Sequence, residues 1–554
     1  MPVEVIYRPA APLDSPMAHY PGFAPGTVTL PKGSVHAKGG LELPCDILLE
    51  RDVAVKLRDG TTIYIDIYRP PDAKGVPGIV AWSPYGKRGG FWSLDLVPDR
   101  AGVPPNAVSG LQKFEGPDPA FWCGHGYAVI NPDIRGVFKS EGDIQYRGKT
   151  ESKDGYDLIE WVAARDWCNG KVGMSGNSWL AIEQWFIAAE RPPHLAAIAP
   201  WEGYVDSYRD FVLCGGIPSV NDPFLAAVFI NLFGQNRVED VLKMVERYPL
   251  MNEYWEEKIA QVERIQIPVY VAASWVNKLH VRGTLDGFRH IHSKDKWLRV
   301  HNSWEWPDLY ANQGDLLRFF DHYLKEKDNG WESTPRVRLS VLDPGGVDVV
   351  NLPVADWPLP GVEYESLYLD ASAGTLTRKK VEKAATARYK AEDGQASFLF
   401  VFENETDLIG PMSLHLWVEA VGSDDMDLYS YVQKLDDKGV PLTKSYVGGT
   451  MVWSGPRGQL RVSHRRLDPL RSTPAEPYHT HRVEERLTAG EIVPIDIPIW
   501  PVGMRWHGGQ RLRLIVTGME LAHEAPPKSE RNHGEHVIHA GGHYDSFLLV
   551  PVGP

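Results

Sequence analysis

Six short apolar runs recur between residues 78 and 300, at 78–82, 127–130, 172–174, 196–199, 269–273 and 297–300. Each is continuous rather than alternating, as expected of strands covered on both faces of a parallel sheet. Segments with helical spacing fall between several of them, at 156–164, 179–189, 283–291 and 314–324. Strand and helix in alternation predict a mostly parallel α/β sheet with right-handed crossovers. A hairpin precedes it: 53–57, the turn Arg58-Asp59-Gly60, then 61–68, with the alternation and Asp-Gly turn of an antiparallel pair.

Two stretches depart from this rhythm. From 204 to 263 the pattern is helical only, with turn signals at Cys214-Gly215-Gly216 and Asn221-Asp222-Pro223, which predicts a helical cap inserted between two strands of the sheet. After 330 the helical spacing stops. Segments 337–342, 414–418, 428–432 and 512–516 alternate or run apolar between Gly and Pro turns, predicting an all-β region of sandwich or jelly-roll type. The expected organisation is a wrapping segment over 1–44, an α/β core over 45–203 and 264–330, the cap at 204–263, and the β domain at 331–554.

Composition narrows the partners more than the fold. With 58 basic against 72 acidic side chains the net charge is −14, which argues against nucleic acid or an anionic membrane surface. Four cysteines lie far apart without a CxxC, as expected of free thiols in a reducing compartment. The N-terminus has no basic region followed by an apolar run, so no signal peptide is expected. The longest apolar stretch, 224–233, is interrupted by Asn231 and is half a membrane span. The expectation is a soluble, cytoplasmic protein. No GxGxxG or P-loop is present, so no cofactor is expected. His533, His536, His539 and His543 have near-ligand spacing but lie in a Gly-broken segment leading into a strand, and Asp424, Asp425 and Asp427 lack EF-hand spacing. No metal is expected at either.

The strongest chemical signal is Lys171-Val172-Gly173-Met174-Ser175-Gly176-Asn177-Ser178-Trp179-Leu180-Ala181: a strand, a tight turn, then a helix. A nucleophile elbow needs a serine exposed on a strained turn, with small residues where helix and strand approach. Gly176 and Ala181 meet that need around Ser178, although Leu180 breaks the strict GxSxG string. Ser175 is the rival serine, placed on the strand end. Read alone, the string also fits an ordinary strand-to-helix turn with an N-cap serine.

Further motifs stand with it: Asp133-Ile134-Arg135-Gly136 with Lys139-Ser140-Glu141-Gly142, then Asp154-Gly155-Tyr156-Asp157 with Trp161, then Trp167-Cys168-Asn169-Gly170 running into the elbow. Asn252-Glu253-Tyr254-Trp255 and the closing Gly542-His543-Tyr544-Asp545-Ser546-Phe547 add to the set. Together they resemble the serine hydrolases that include bacterial cocaine esterase, X-prolyl dipeptidyl-peptidases and α-amino-acid ester hydrolases. The resemblance implies an α/β-hydrolase core, an inserted helical cap and a C-terminal jelly roll. It implies Ser178 as nucleophile, with the Trp179 N–H and the Tyr85 hydroxyl of Pro84-Tyr85-Gly86-Lys87 as oxyanion-hole donors. The other triad members are not copied intact. Asn277 of Trp275-Val276-Asn277 stands where the family has its Asp, and an ungapped match from Val300 puts Glu305 at the family's histidine. His301 and His280 are the candidate bases, with His301 preferred for its place directly after a strand and Glu305 expected to orient the imidazole. The implied activity is cleavage of a small-molecule ester or amide through an acyl-enzyme. A biosynthetic acyltransferase using the same intermediate and a silent binding protein are the alternatives. A homodimer or higher homo-oligomer is left open.

Overall fold

The computed structural model describes residues 3–219, 223–446, 451–521 and 529–553. Two compact units emerge. One comprises Met1–Ser207, Pro223–Arg247 and Glu253–Val337, the other Tyr208–Asp222, Tyr248–Asn252 and Arg338–Pro554.

The first unit is an α/β layer structure. Its strands are β1 (Tyr7–Pro9), β2 (Gly26–Leu30), β3 (Ile47–Lys56), β4 (Thr62–Arg69), β5 (Val76–Val80), β6 (Ala128–Asp133), β7 (Cys168–Asn177), β8 (Leu195–Trp201), β9 (Arg237–Glu239), β10 (Val269–Ser274) and β11 (Lys296–His301). Its helices are α1 (Pro119–Gly124), α2 (Lys149–Ala163), α3 (Trp179–Ala189), α4 (Pro223–Ile230), α5 (Val241–Arg247), α6 (Glu253–Glu257), α7 (Val281–His290), α8 (Glu305–Ala311) and α9 (Gln313–Lys325). Among these strands the order in the main sheet is β11-β10-β8-β7-β5-β6-β4-β3-β2. Pairing is parallel from β11 through to β6 and antiparallel from β6 through β4 and β3 to β2. The continuous apolar runs explain this. β6 and β10 are buried at every position, as strands with helices on both faces must be. The order places the C-terminal ends of β5, β7, β8, β10 and β11 along one edge of the sheet. Ligand sites of such sheets form at that edge.

The predicted elements fall where the periodicity puts them, with two differences. The first forty-odd residues contribute β1 and β2 to sheets as well as covering the surface. The 204–263 segment is not helical throughout. It holds α4 to α6 and short turns, but also β9, which pairs antiparallel with β1. A three-residue strand is too short to register as a period. The Asn221-Asp222 turn lies outside the described residues.

The second unit is all-β. From Thr406–Val421 the neighbours run through Val493–Trp506, Arg457–Arg461, Asp427–Leu435, Arg511–Thr517, Gln395–Val401, Thr375–Thr377, Glu363–Asp370 and Phe547–Val552. The last of these pairs back onto Thr406–Val421 and closes the sheet. Leu408, Met412, Leu414, Leu416 and Val418 alternate inward along one strand and are fully buried. His536 and His539 sit on the strand Glu535–Ala540, bonded to Tyr389 and Glu419 respectively. Asp425 and Asp427 bind Ser463 and Arg461. Among the described residues no helix is long and apolar enough to cross a membrane.

Candidate active site

The link from β7 to α3 is strained. Ser178 has φ 51° and ψ −117°, a conformation that costs a residue with a side chain about 1–3 kcal/mol and persists only where its surroundings impose it. Three backbone bonds impose it here. Asn177 N–H donates to Glu115 C=O at 3.0 Å, Ser178 N–H to Glu202 C=O at 3.1 Å, and Ile182 N–H to Ser178 C=O at 2.9 Å. Gly176, at φ 136°, has no alternative, since a Cβ there would meet Leu180 Cβ at 2.6 Å and the Glu115 carbonyl at 2.9 Å. A Cβ on Gly203 would meet Ala181 Cβ at 2.6 Å, which accounts for the small residue in the first turn of α3.

Tyr85 follows β5 in a turn anchored by Lys87, whose N–H donates to Asp133 at 2.7 Å and whose ammonium pairs with Asp52 at 2.9 Å. Its ring is held edge-on by Phe114 at 5.3 Å and by Trp179 at 5.9 Å. Burial raises its pKa well above the usual phenol value, the Glu115 and Glu305 charges push the same way, and hydrogen bonding with Ser178 draws it partly back. The hydroxyl therefore stays protonated and able to donate at any ordinary pH.

The two candidate histidines occupy different places. His280, at the N-terminal end of α7, brings Nε2 to 3.2 Å from Ser178 Oγ and stacks on Tyr204. His301, at the end of β11, instead pairs its Nε2 with Glu202 at 2.7 Å, and its Nδ1 faces Ser303 and Asp308. So His280, and not the preferred His301, lies within hydrogen-bond reach of the serine. The reason is Glu202, an acidic side chain directly after β8 that captures His301. The other Glu202 oxygen accepts from Asn277 Nδ2 at 2.7 Å, so the amide in place of the family's Asp is a partner of a buried carboxyl. Glu305 is also near, but its Oε2 lies 3.9 Å from His280 Nε2, the nitrogen that faces Ser178. An orienting acid would need Nδ1, which has no hydrogen-bond partner among the described residues. Burial and the Arg147 charge push His280 down to about 3, so its imidazole is neutral at ordinary pH. Arg147 is itself buried against the Trp179, Tyr146 and Tyr204 rings.

Sequence reasoning missed Glu202 and Glu115. The signal for Glu202 was present, a Glu immediately after an apolar parallel strand. Glu115 carried none, because it lies in a loop before α1 far from any motif. Its Oε1 accepts from Trp306 Nε1 at 3.0 Å, and burial raises the carboxyl to about 8 although that bond and the nearby Tyr85 hydroxyl and Trp179 N–H pull it down. Glu202 and Glu305 are raised as well, each chiefly by burial.

The arrangement offers a strained serine, a neutral imidazole on its oxygen, and two donors beside it, which are the parts that acyl transfer requires. Comparison with known proteins gives the family. Residues 59–235 match the X-Pro dipeptidyl-peptidase (S15 family) model, and 329–549 match the X-Pro dipeptidyl-peptidase C-terminal non-catalytic domain. Cocaine esterase of Rhodococcus sp. is 27% identical over 395 residues, covering 59% of this chain and 63% of that enzyme, so the chain matches just under two thirds of its length. The structure of an α-amino acid ester hydrolase, 14% identical, superposes with a TM-score of 0.67 over 98% of this chain and all of that one, a likeness of fold. A CocE/NonD family hydrolase of Staphylococcus aureus is 35% identical, with a TM-score of 0.85 over 92% of this chain and 94% of its own. Near-complete coverage at that identity, on a fold whose sheet edge carries Ser178, places this chain in the CocE/NonD family as a serine hydrolase.

Proposed function

We propose that this protein hydrolyses an ester or amide of a small molecule through an acyl-enzyme on Ser178. The core is of α/β-hydrolase type and the β domain a closed jelly-roll relative. In this reading His280 takes the proton of Ser178 Oγ as the oxygen attacks the substrate carbonyl. The C–O⁻ of the tetrahedral intermediate is held by the Tyr85 hydroxyl and the Trp179 N–H. His280 then returns the proton to the leaving alcohol or amine, and water resolves the acyl-enzyme by the same route. Asn277, Glu202 and His301 form a buried bracket behind the serine, Glu202 joining the side chains of the other two and, through its carbonyl, the backbone of Ser178. The observation that carries the reading is the 3.2 Å approach of His280 Nε2 to a serine in strained backbone.

The test is hydrolysis of a panel of p-nitrophenyl esters and dipeptide p-nitroanilides by the wild-type and Ser178→Ala proteins. Replacement of the nucleophile should lower kcat by several orders of magnitude. Ser175→Ala, on the strand, should be milder. A Ser178→Ala protein as active as wild type would end the acyl-enzyme reading.

A further inference from the structure

The two donors expected to hold the oxyanion already have a neighbour. The Glu115 carboxyl lies close to both the Tyr85 hydroxyl and the Trp179 N–H, which favour its charged form against the cost of burial. It is only 3% exposed. Its main chain is tied to the elbow as well, the Glu115 carbonyl accepting from Asn177 one residue before the serine. Phe114 fixes the loop from the other side, its ring 5.3 Å from Tyr85 and 5.6 Å from Trp306. A carboxyl placed here has two possible effects on acyl transfer. Ionised, it would compete for both donors and repel the negative charge forming on the substrate oxygen. Neutral, it retains an acceptor for Trp306 on one oxygen and has an O–H to direct from the other. Oε1 is the oxygen bonded to Trp306, whereas Oε2 is buried without a hydrogen-bond partner among the described residues.

We propose that Glu115 acts as a neutral carboxylic acid whose O–H joins the Tyr85 hydroxyl and the Trp179 N–H in holding the oxygen of the tetrahedral intermediate. An alkoxide has three lone pairs, so a third donor adds to the other two without displacing them. Glu115 is then a catalytic residue, and its contribution appears only as charge develops. The surroundings favour the acid form. The acidic groups facing Glu115 are Tyr85 after β5, Glu202 after β8, and Glu305 and Tyr310 of α8. Each adds negative charge when ionised and so opposes ionisation of Glu115. The Arg147 guanidinium, a cation of this region, lies over the aromatic faces of Tyr146, Trp179 and Tyr204. With the carboxyl at about 8, activity is full while the acid form persists and falls as pH rises through that value.

This inference rests on the acyl-enzyme reading, and the experiment separates the two. Hydrolysis of p-nitrophenyl acetate is followed from pH 5 to 10 in wild type, Glu115→Gln, Glu115→Ala and Ser178→Ala. Wild type should lose kcat with a midpoint near pH 8. Glu115→Gln, a neutral donor at every pH, should keep activity within a few-fold at pH 6 and lack that loss. Glu115→Ala should lower kcat by about 10²-fold with KM little changed, as for loss of one oxyanion donor. The infrared difference between wild type and Glu115→Gln at pH 6 should show a carboxylic acid carbonyl band that disappears above pH 9. An alkaline loss that persists in Glu115→Gln, a Glu115→Ala enzyme as fast as wild type, or a carboxylate band at pH 6 would each overturn the proposal. An active Ser178→Ala protein would instead overturn the reading beneath it.

Discussion

Removing the Tyr85 hydroxyl tests the oxyanion site with little disturbance to the fold. Tyr85→Phe deletes one oxygen from a ring that is 7% exposed and wedged between Phe114 at 5.3 Å and Trp179 at 5.9 Å. The phenyl ring fits the same space, and the turn is secured by the main-chain bond and ion pairs of Lys87, which the substitution leaves alone. Global stability should therefore change by about 1 kcal/mol or less. Catalysis should change more. A buried donor aimed at the developing alkoxide is worth about 3–4 kcal/mol, or roughly 10²–10³ in kcat. The hydroxyl holds no charge in the ground state, so KM should move only a few-fold. Steady-state hydrolysis of p-nitrophenyl acetate, with thermal melts of both proteins, measures each quantity. A loss confined to KM would make Tyr85 a pocket wall, and an unchanged kcat would remove it from the oxyanion site.

Acid should weaken the β unit. Burial pushes His464 and His536 down to about 4 and His479 to about 3, so the folded protein holds them neutral while the unfolded chain protonates them. The stability they supply is present above about pH 6.5 and is lost as pH falls toward the folded values. By pH 5 each has forfeited roughly 2 kcal/mol relative to pH 8. Calorimetric scans at pH 8, 6.5 and 5 should show a progressive fall in Tm, and a flat profile would refute the shifts. His280, held down to about 3, predicts no acid limb near pH 6.5 in kcat/KM, whereas a limb centred there would mean an ordinary exposed imidazole. Truncation after Gly542 removes the strand Phe547–Val552, which pairs with both Glu363–Asp370 and Thr406–Val421 and closes the sheet. Leu548, Leu549 and Val550 are buried there, each worth about 1.5–3 kcal/mol, so the truncated chain should be insoluble and inactive. A soluble, active product would contradict that.

Long periodic elements were legible in the sequence because burial on both faces leaves a pattern. The helical spacing at 179–189 coincides with α3, and the run at 269–273 with all but the last residue of β10. The strained turn at Ser178 was legible for a similar reason, since its demand for small neighbours is local and Gly176 and Ala181 record it. The partners of the serine were not. Whether His280 or His301 reaches it depends on Glu202, 99 residues from His301 along the chain. Glu115 stands beside Tyr85 and Trp179 only because its loop packs against the elbow. Such convergence is written in tertiary packing, and neither spacing nor periodicity carries it. The strand β9 escaped notice because three residues cannot define a period.

The central claim is that Ser178 is a nucleophile driven by His280. The most direct measurement is the rate of covalent labelling by a fluorophosphonate, followed by intact mass and peptide mapping, in wild type, Ser178→Ala, His280→Ala and His301→Ala. Wild type should acquire one adduct on Ser178, and Ser178→Ala none. His280→Ala should label at least about 10²-fold more slowly, as expected for loss of a general base. His301→Ala should label at a rate closer to wild type, because His301 is bonded to Glu202 and not to the serine. Normal labelling of Ser178 in His280→Ala, together with its loss in His301→Ala, would contradict the account.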